Sequence, residues 1–249
     1  MSFWRRQLFH HPETATSRPL VATSACLLGE AVRYDGGHKQ QASIESWLAP
    51  HLQLQAVCPE VGIGLPVPRP TLKLVERDQL VRVVGEQDET TDVSDQLRGY
   101  ASQHLRRIND FWPLCAWIFK ARSPSCGLGS SIINPGSGQE YSGYGAFAGH
   151  IAGAAPWLVL VEEEQLLAEN ACTMFLFHSF LARDILWQGE ADISALRAHY
   201  ESLLEQPKGH FSSTDRFSLW RDVFAVLEGL DNEKQRALIE QYRGNLGSG

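Results

Sequence analysis

The chain has 249 residues and a formal net charge of −7, from 22 Lys and Arg against 29 Asp and Glu. This acidic balance disfavours a broad nucleic-acid interface, which requires clustered basic residues in excess. Hydrophobic residues make up 43% of the chain and charged residues 20%, as in a folded protein with one substantial core. A small neutral or weakly charged substrate suits this composition better than a polyanion does.

The N-terminal segment carries no pattern of export or membrane insertion. Residues 1–18 lack the apolar stretch and the small-residue cleavage site of a signal peptide, and we interpret them as an N-terminal arm. No apolar run approaches the ~20 residues that a membrane span needs. We therefore expect a cytoplasmic protein with reduced thiols, in which five cysteines suggest metal binding or catalysis before disulfides.

Strand and helix patterns alternate over the first two thirds of the chain. Strands are predicted at residues 19–24, 52–57, 72–75, 80–84, 114–120 and 157–161. Helices are predicted at residues 43–52, after a cap at Asp92 or Ser94, and at residues 146–154, whereas the Gly- and Ser-rich residues 127–145 are expected to form a loop. This alternation predicts an α/β fold, with a mostly parallel sheet and flanking helices of the Rossmann-like kind.

No strand pattern follows residue 164. Apolar periodicity instead predicts helices near residues 174–181, 193–203, 217–227 and 232–242. We therefore divide the chain into the arm at 1–18, an α/β domain at 19–167 and a helical C-terminal region at 168–249.

Three cysteines directly follow predicted strands. Cys26, Cys58 and Cys126 each lie just beyond the carboxyl end of a strand, where open α/β sheets bind ligands. Thiolates suit a soft metal centre such as an iron–sulfur cluster, and three protein ligands leave one coordination position open. Spacing alone leaves open that the three are unrelated buried cysteines. Cys115, inside a strand, and Cys172, in a helix, are expected to be buried apolar residues.

Polar residues in the same loops are candidates for acid–base work and for substrate binding. A carboxylate beside a metal centre can act as a general base, and a serine can donate to a substrate oxygen or nitrogen. The candidates are Glu60, Ser123, Ser125 and Asp35, with His38 and Arg69 as weaker ones. Glu60 equally fits a cap or a loop ion pair, Arg69 a carboxylate-paired arginine, and Asp35, which precedes Gly36, an ordinary turn.

Six short motifs occur in a fixed order along the chain. They are SACLLG (24–29), YDGG (34–37), CPEV (58–61), GLP (64–66), PRP (68–70) and SPSCG (123–127). Together they closely resemble the thiouracil desulfidase family of bacterial iron–sulfur proteins, and the resemblance extends more loosely to about residue 167. Two departures are the NPGSGQEYSGYG stretch, where relatives more often carry Tyr-Asp-Gly, and the region from 168 onward, which the resemblance does not cover.

The resemblance implies a [4Fe-4S] cluster held by Cys26, Cys58 and Cys126. Its open iron would accept the sulfur of 2-thiouracil in a non-redox desulfuration to uracil, a C–S bond hydrolysis or lyase reaction. By the same resemblance Glu60 and Ser125 are the catalytic groups, and Asp35 is a further candidate for contacting the pyrimidine ring.

Two alternatives remain open from the sequence. The same cluster could transfer sulfur to a tRNA base, although the acidic balance disfavours this partner. The other alternative is a zinc-stabilised, non-catalytic binding module. The expected partner is a small thiolated pyrimidine, with no nucleic-acid or membrane partner.

Overall fold

The computed structural model describes residues 18–109, 114–155, 158–187 and 198. Its strands are β1 (Leu20–Ser24), β2 (Gln53–Val57), β3 (Leu72–Arg77), β4 (Leu80–Gly85), β5 (Leu114–Phe119), β6 (Leu128–Asn134), β7 (Tyr141–Tyr144) and β8 (Val159–Glu162). Its α-helices are α1 (Pro59–Gly62), α2 (Ser94–Asn109), α3 (Ala146–Ala154) and α4 (Glu169–Trp187). Shorter helical turns cover Ala25–Leu28, Ile44–Leu48 and Glu163–Leu166.

The first sheet is four-stranded and parallel, in the order β2-β1-β5-β8. Every residue of β1 and β5 is buried, because helices cover both faces of the sheet. This explains why both strands are nearly continuous apolar runs without alternation. The predicted α/β class and its parallel sheet are therefore confirmed.

Helices pack on both faces of this sheet. On one face α2 and α3 cover an aromatic cluster in which Trp117 stacks on Phe119, with ring centroids 5.2 Å apart, and meets Phe147 edge to face. On the other face α4 and the turn Ile44–Leu48 pack against apolar residues of β1 and β5. The connection from β1 to β2 thus runs over one face and that from β2 to β5 over the other. Such a reversal opens a crevice at the carboxyl ends of the strands, between β1 and β5.

The helix predicted near residues 174–181 is confirmed as part of α4. It contributes Phe175, Leu176 and Leu181 to the same apolar core as Val21 and Ala116 of the sheet. The domain boundary at residue 167 stays a prediction. The helices predicted further along lie outside the described residues apart from residue 198, and so does the arm apart from residue 18. None of the described helices is long and apolar enough to cross a bilayer.

A second four-stranded sheet has the order β4-β3-β6-β7. Its β3–β4 hairpin was predicted, but β6 and β7 lie in the stretch 127–145, for which the sequence predicts only a loop. That prediction was wrong because the two strands bury few apolar side chains. Along β6 only Ser131 and Ile133 are fully buried, so the hydrophobic alternation that marks a strand is almost absent.

The start of α2 is tied to β4 by Asp92. Its carboxylate accepts hydrogen bonds from the Ser94 backbone N–H at 2.9 Å, the Ser94 hydroxyl at 2.6 Å and Arg82 Nε at 2.7 Å. The Ser94 hydroxyl oxygen in turn accepts the Val83 backbone N–H at 2.7 Å. Burial raises the pKa of Asp92, but the bonds from Ser94 and Arg82 outweigh it and hold that pKa below its ordinary value.

We expect Asp92→Asn to lower the free energy of unfolding by about 1 kcal/mol at pH 7, since it removes the negative charge that accepts hydrogen bonds from Arg82 and Ser94. A depressed folded-state pKa stabilises the protein above the unfolded-state value, and this stabilisation is lost as the pH falls through the folded-state pKa. The difference from wild type should therefore shrink toward pH 3 in urea titrations at several pH values. Glu30→Gln, at an exposed carboxylate, is the control; a difference for Asp92→Asn that does not depend on pH would contradict the assignment.

Candidate functional site

A cavity of about 310 Å³ lies at the carboxyl edge of the parallel sheet, and Cys26, Cys58 and Cys126 all line it. Cys26 lies in the helical turn that follows β1, and Cys58 directly follows β2. Cys126 lies in the loop after β5. The structure thus brings together the three cysteines that are far apart in the sequence, and parallel strand pairing is the cause.

Two of the three cysteines are buried, and Cys58 is half-buried. Cys26 is 9% exposed and Cys126 6% exposed. Burial, and secondarily the nearby Cys58, raises the pKa of Cys26 to about 11. Burial also raises the pKa of Cys58. It raises the pKa of Cys126 well above its ordinary value, although a hydrogen bond from Ser24 acts to lower that pKa. At neutral pH the three are therefore protonated thiols, and a bound cation would have to displace their protons.

The donor set fits a cluster better than a single ion. Among the described residues, no group of three or more His, Cys, Asp or Glu side chains is placed to hold one metal ion. In a cluster each cysteine binds a different iron atom, so the sulfur ligands surround a larger volume than those of a single ion. Three thiols spread around one cavity match that requirement.

The two remaining cysteines lie elsewhere. Cys115 is 1% exposed within β5, and Cys172 is fully buried in α4 with its thiol 3.2 Å from the Leu166 carbonyl oxygen. Neither lines the cavity. Both are buried in the apolar core, as the sequence predicts.

Glu60 lines the cavity and is held from two sides. One carboxylate oxygen accepts the Ser125 hydroxyl at 2.8 Å, and the other accepts Arg69 Nε and Nη2, each at 2.8 Å. The Glu60 side chain is 13% exposed and that of Arg69 4% exposed. Charge-assisted bonds of this kind fix a carboxylate in one orientation. Arg69 is therefore a carboxylate partner, and Ser125, which does not itself line the cavity, reaches it through Glu60.

Ser123 holds the shape of the loop that carries Cys126. Its hydroxyl oxygen accepts the backbone N–H groups of Ser125 at 3.2 Å and Cys126 at 3.0 Å. This is the local side-chain-to-backbone bonding that serine favours in turns. Ser123 lines the cavity, but its hydroxyl serves the loop.

The structure does not bring Asp35 or His38 into the cavity. The side chain of Asp35 is 50% exposed and accepts the Gly37 backbone N–H at 3.0 Å, a bond that lowers the pKa of Asp35. His38 is exposed and its Nδ1 accepts the Gln40 backbone N–H. Asp35 therefore forms the turn that its sequence context also allowed, and its catalytic role stays a prediction.

Several cavity residues were not singled out from the sequence. Arg33 and Tyr34 line the cavity beside Asp35, and Lys120 and Arg122 line it just before Ser123. The strand predicted at residues 114–120 includes Lys120, whereas β5 ends at Phe119, so Lys120 directly follows the strand only in the structure. A lysine at the end of a strand is also ordinary at a protein surface and gives no signal of a site.

The N-terminus of α3 fixes the Ser125–Cys126 loop. Backbone N–H groups of Ala146 and Phe147 donate to the carbonyl oxygens of Pro124 and Ser125, each at 3.1 Å. Gly145 makes this approach possible, because a Cβ there would lie 2.6 Å from backbone atoms of Ser125.

We expect Gly145→Ala to destabilise the protein by about 1–3 kcal/mol, because backbone on both sides must move. The displaced loop should also lower the iron bound after anaerobic reconstitution, measured per chain. Gly153→Ala, in the same helix, is the matched control, because nothing lies within 4 Å of its added Cβ. Equal stability and iron content in the two variants would rule out the close approach as a constraint on the site.

Comparison with known proteins assigns the chain to a family. The model of the 2-thiouracil desulfurase family matches residues 21–164, a range that includes all three cavity cysteines. A solved structure described as a [4Fe-4S]-dependent thiouracil desulfidase, TudS, is similar at 31% sequence identity; the match covers 59% of this chain and 91% of that chain, with a TM-score of 0.47. No curated protein matched the chain. Since the family model spans more than half of the chain, the protein belongs to the 2-thiouracil desulfurase family.

Proposed function

We propose that this protein is a [4Fe-4S]-dependent thiouracil desulfidase that converts 2-thiouracil to uracil and sulfide. The observation that carries the proposal is the single cavity lined by three cysteine thiols and by the oriented carboxylate of Glu60. Membership in the 2-thiouracil desulfurase family supports it. The solved relative, described as dependent on a [4Fe-4S] cluster, agrees with the cofactor that the sequence motifs imply.

The cluster would be held by Cys26, Cys58 and Cys126. When bound, it would supply an iron atom without a protein ligand, a Lewis acid that polarises the thiocarbonyl group and accepts its sulfur. Glu60 then acts as the general base that removes a proton from the attacking water. A C–O bond forms, the C–S bond breaks, and its electron pair leaves with sulfur. The net reaction is a hydrolysis that needs neither an oxidant nor a reductant.

Arg69 and Ser125 set the orientation of the base. Arg69 binds one carboxylate oxygen of Glu60 and Ser125 the other, so the carboxylate is aligned before substrate enters. Ser125 is fully buried and does not line the cavity, so it acts on the reaction through Glu60. Asp35 forms the turn next to Arg33 and Tyr34, which line the cavity. Asp35 could contact the pyrimidine ring directly only if this turn moved toward the bound substrate.

The cofactor and the reaction can be tested together. Protein purified and reconstituted without oxygen should be brown, with absorbance near ~400 nm from thiolate-ligated iron. It should release uracil and sulfide from 2-thiouracil in equal amounts. Colourless protein that contains zinc after the same treatment would contradict the proposal and favour a zinc-stabilised module.

We expect the single variants Cys26→Ala, Cys58→Ala and Cys126→Ala to lose the cluster, because each removes one of three protein ligands. Iron and acid-labile sulfide per chain are the measurements. Cys115→Ala is the matched control, since its thiol does not line the cavity. Loss of the cluster in Cys115→Ala, with retention in one of the other three, would show that the ligands were wrongly chosen.

We expect Glu60→Gln to keep the cluster but to lower kcat by about 100- to 10,000-fold, the range of a lost general base. Steady-state kinetics on 2-thiouracil measure the effect, and iron content shows whether the site is loaded. Glu45→Gln, at an exposed carboxylate, should leave kcat unchanged. A Glu60→Gln variant with wild-type kcat would remove Glu60 from the mechanism.

A further inference from the structure

Lys120 combines burial, a fixed position and access to the cavity. It directly follows β5 and lines the cavity together with the three cysteines. Its side chain is 14% exposed and forms an ion pair with Glu163, whose side chain is 7% exposed. The Lys120 backbone N–H also donates to the Ser24 hydroxyl oxygen at 3.0 Å. Lys120 is therefore held at its backbone and at its ammonium group.

Glu163 orients this ammonium group. One of its carboxylate oxygens pairs with Lys120 Nζ, and the other accepts the Ala121 backbone N–H at 2.6 Å. Lys120 Nζ also donates to the Ala121 carbonyl oxygen at 2.9 Å. An ammonium group has three donors, and within the described part of the chain two are used, which leaves one for a ligand in the cavity.

The other cations of the cavity wall are less suited to act on a bound anion. Arg69 directs Nε and Nη2 at Glu60 and Nη1 at the Pro66 carbonyl oxygen. Arg33 lies 3.6 Å from the carboxylate of Asp35, and Arg122 pairs with Glu164; these two carboxylates are 50% and 43% exposed, so both pairs are screened by solvent. The pair of Lys120 is buried, so solvent screens the Lys120 ammonium group less than it screens the other two cations.

A buried ion pair contributes little net free energy to folding, so stability is a weak reason for the Lys120–Glu163 pair. Removing two charges from water costs about as much as their attraction returns, and apolar replacements are often as stable. Lys120 nevertheless lines the cavity, where a cation held in one orientation can bind a developing negative charge. Breaking the C–S bond of a thiocarbonyl leaves an electron pair, and hence negative charge, on sulfur.

We propose that Lys120 is a further catalytic residue, whose ammonium group binds the sulfur anion as it leaves the pyrimidine, and that Glu163 is its positioning residue. The inference rests on the proposed desulfidase function. No proton transfer is needed from Lys120: the electron pair of the broken C–S bond stays on sulfur, the new C–O bond comes from water, and the ammonium donates one hydrogen bond. Donors aimed at developing charge in a site removed from water are an effective form of catalysis.

Binding of sodium sulfide to the cluster-loaded protein tests this role without requiring turnover. Lys120→Met should weaken sulfide binding about 10- to 100-fold, the effect of one lost bond to a charged group. It should lower kcat for 2-thiouracil by a similar factor with little change in KM. Lys120→Arg should recover part of both losses, and Glu163→Gln should show a smaller loss than Lys120→Met.

Lys73→Met is the matched control, because Lys73 pairs with Glu89 at 2.7 Å and does not line the cavity. It should bind sulfide like wild type. Iron content per chain identifies any variant that does not bind the cluster. If Lys120→Met does not bind it, sulfide binding is compared between wild type, Lys120→Arg and Glu163→Gln. Sulfide binding that is equal in wild type and in every loaded Lys120 and Glu163 variant would overturn the inference.

The outcome also separates this inference from the proposed function. Wild-type protein that binds sulfide through Lys120 but does not convert 2-thiouracil would refute the desulfidase function alone. Normal conversion by Lys120→Met would refute the role of Lys120 alone. Wild-type protein that binds no cluster would overturn both.

Discussion

Ser24 and Val57 are register partners at the ends of two parallel strands, and the site depends on this pairing. Because the strands run in the same direction, the residues that follow them, Cys26 and Cys58, emerge at the same edge. Parallel pairing of β1 with β5 extends the edge to the loop of Cys126. A shift of either register by one residue would move one thiol along the edge. It would also exchange the side chains that face the two apolar cores on opposite sides of the sheet. Burial of the apolar strands thus fixes the positions of the cysteines.

Charged groups connect the three loops above this edge. Glu60, in the loop after β2, is bonded to Ser125 in the loop after β5 and to Arg69 in the proline-rich segment. Lys120 and Glu163 likewise connect the ends of β5 and β8. Each pair contains a buried charge that is costly without its partner. These two buried pairs thus hold charged groups of the cavity wall in fixed orientations where the chemistry is proposed to occur.

The sequence predicts the parallel core well because buried strands are uninterrupted apolar runs, as β1 and β5 illustrate. It also predicts that Cys26, Cys58 and Cys126 lie together, since strand direction determines where a following residue emerges. It does not predict β6 and β7, which contain few apolar residues and bury only Ser131 and Ile133. Nor does it distinguish Glu60 from Asp35, because both lie in loops, and only the fold brings Arg69 and Ser125 to Glu60. The pairing of Lys120 with Glu163 depends on the alignment of β5 with β8, and this alignment cannot be predicted from the sequence of either strand.

The burial of Cys26 and Cys126 also determines how reactive their free thiols are. Thiolates, not thiols, react with alkylating agents and peroxides, and a desolvated cysteine with a raised pKa forms little thiolate. Cys26 and Cys126 should therefore be slow to oxidise or to be alkylated as free thiols. The low-dielectric setting of these two side chains thus also protects them chemically.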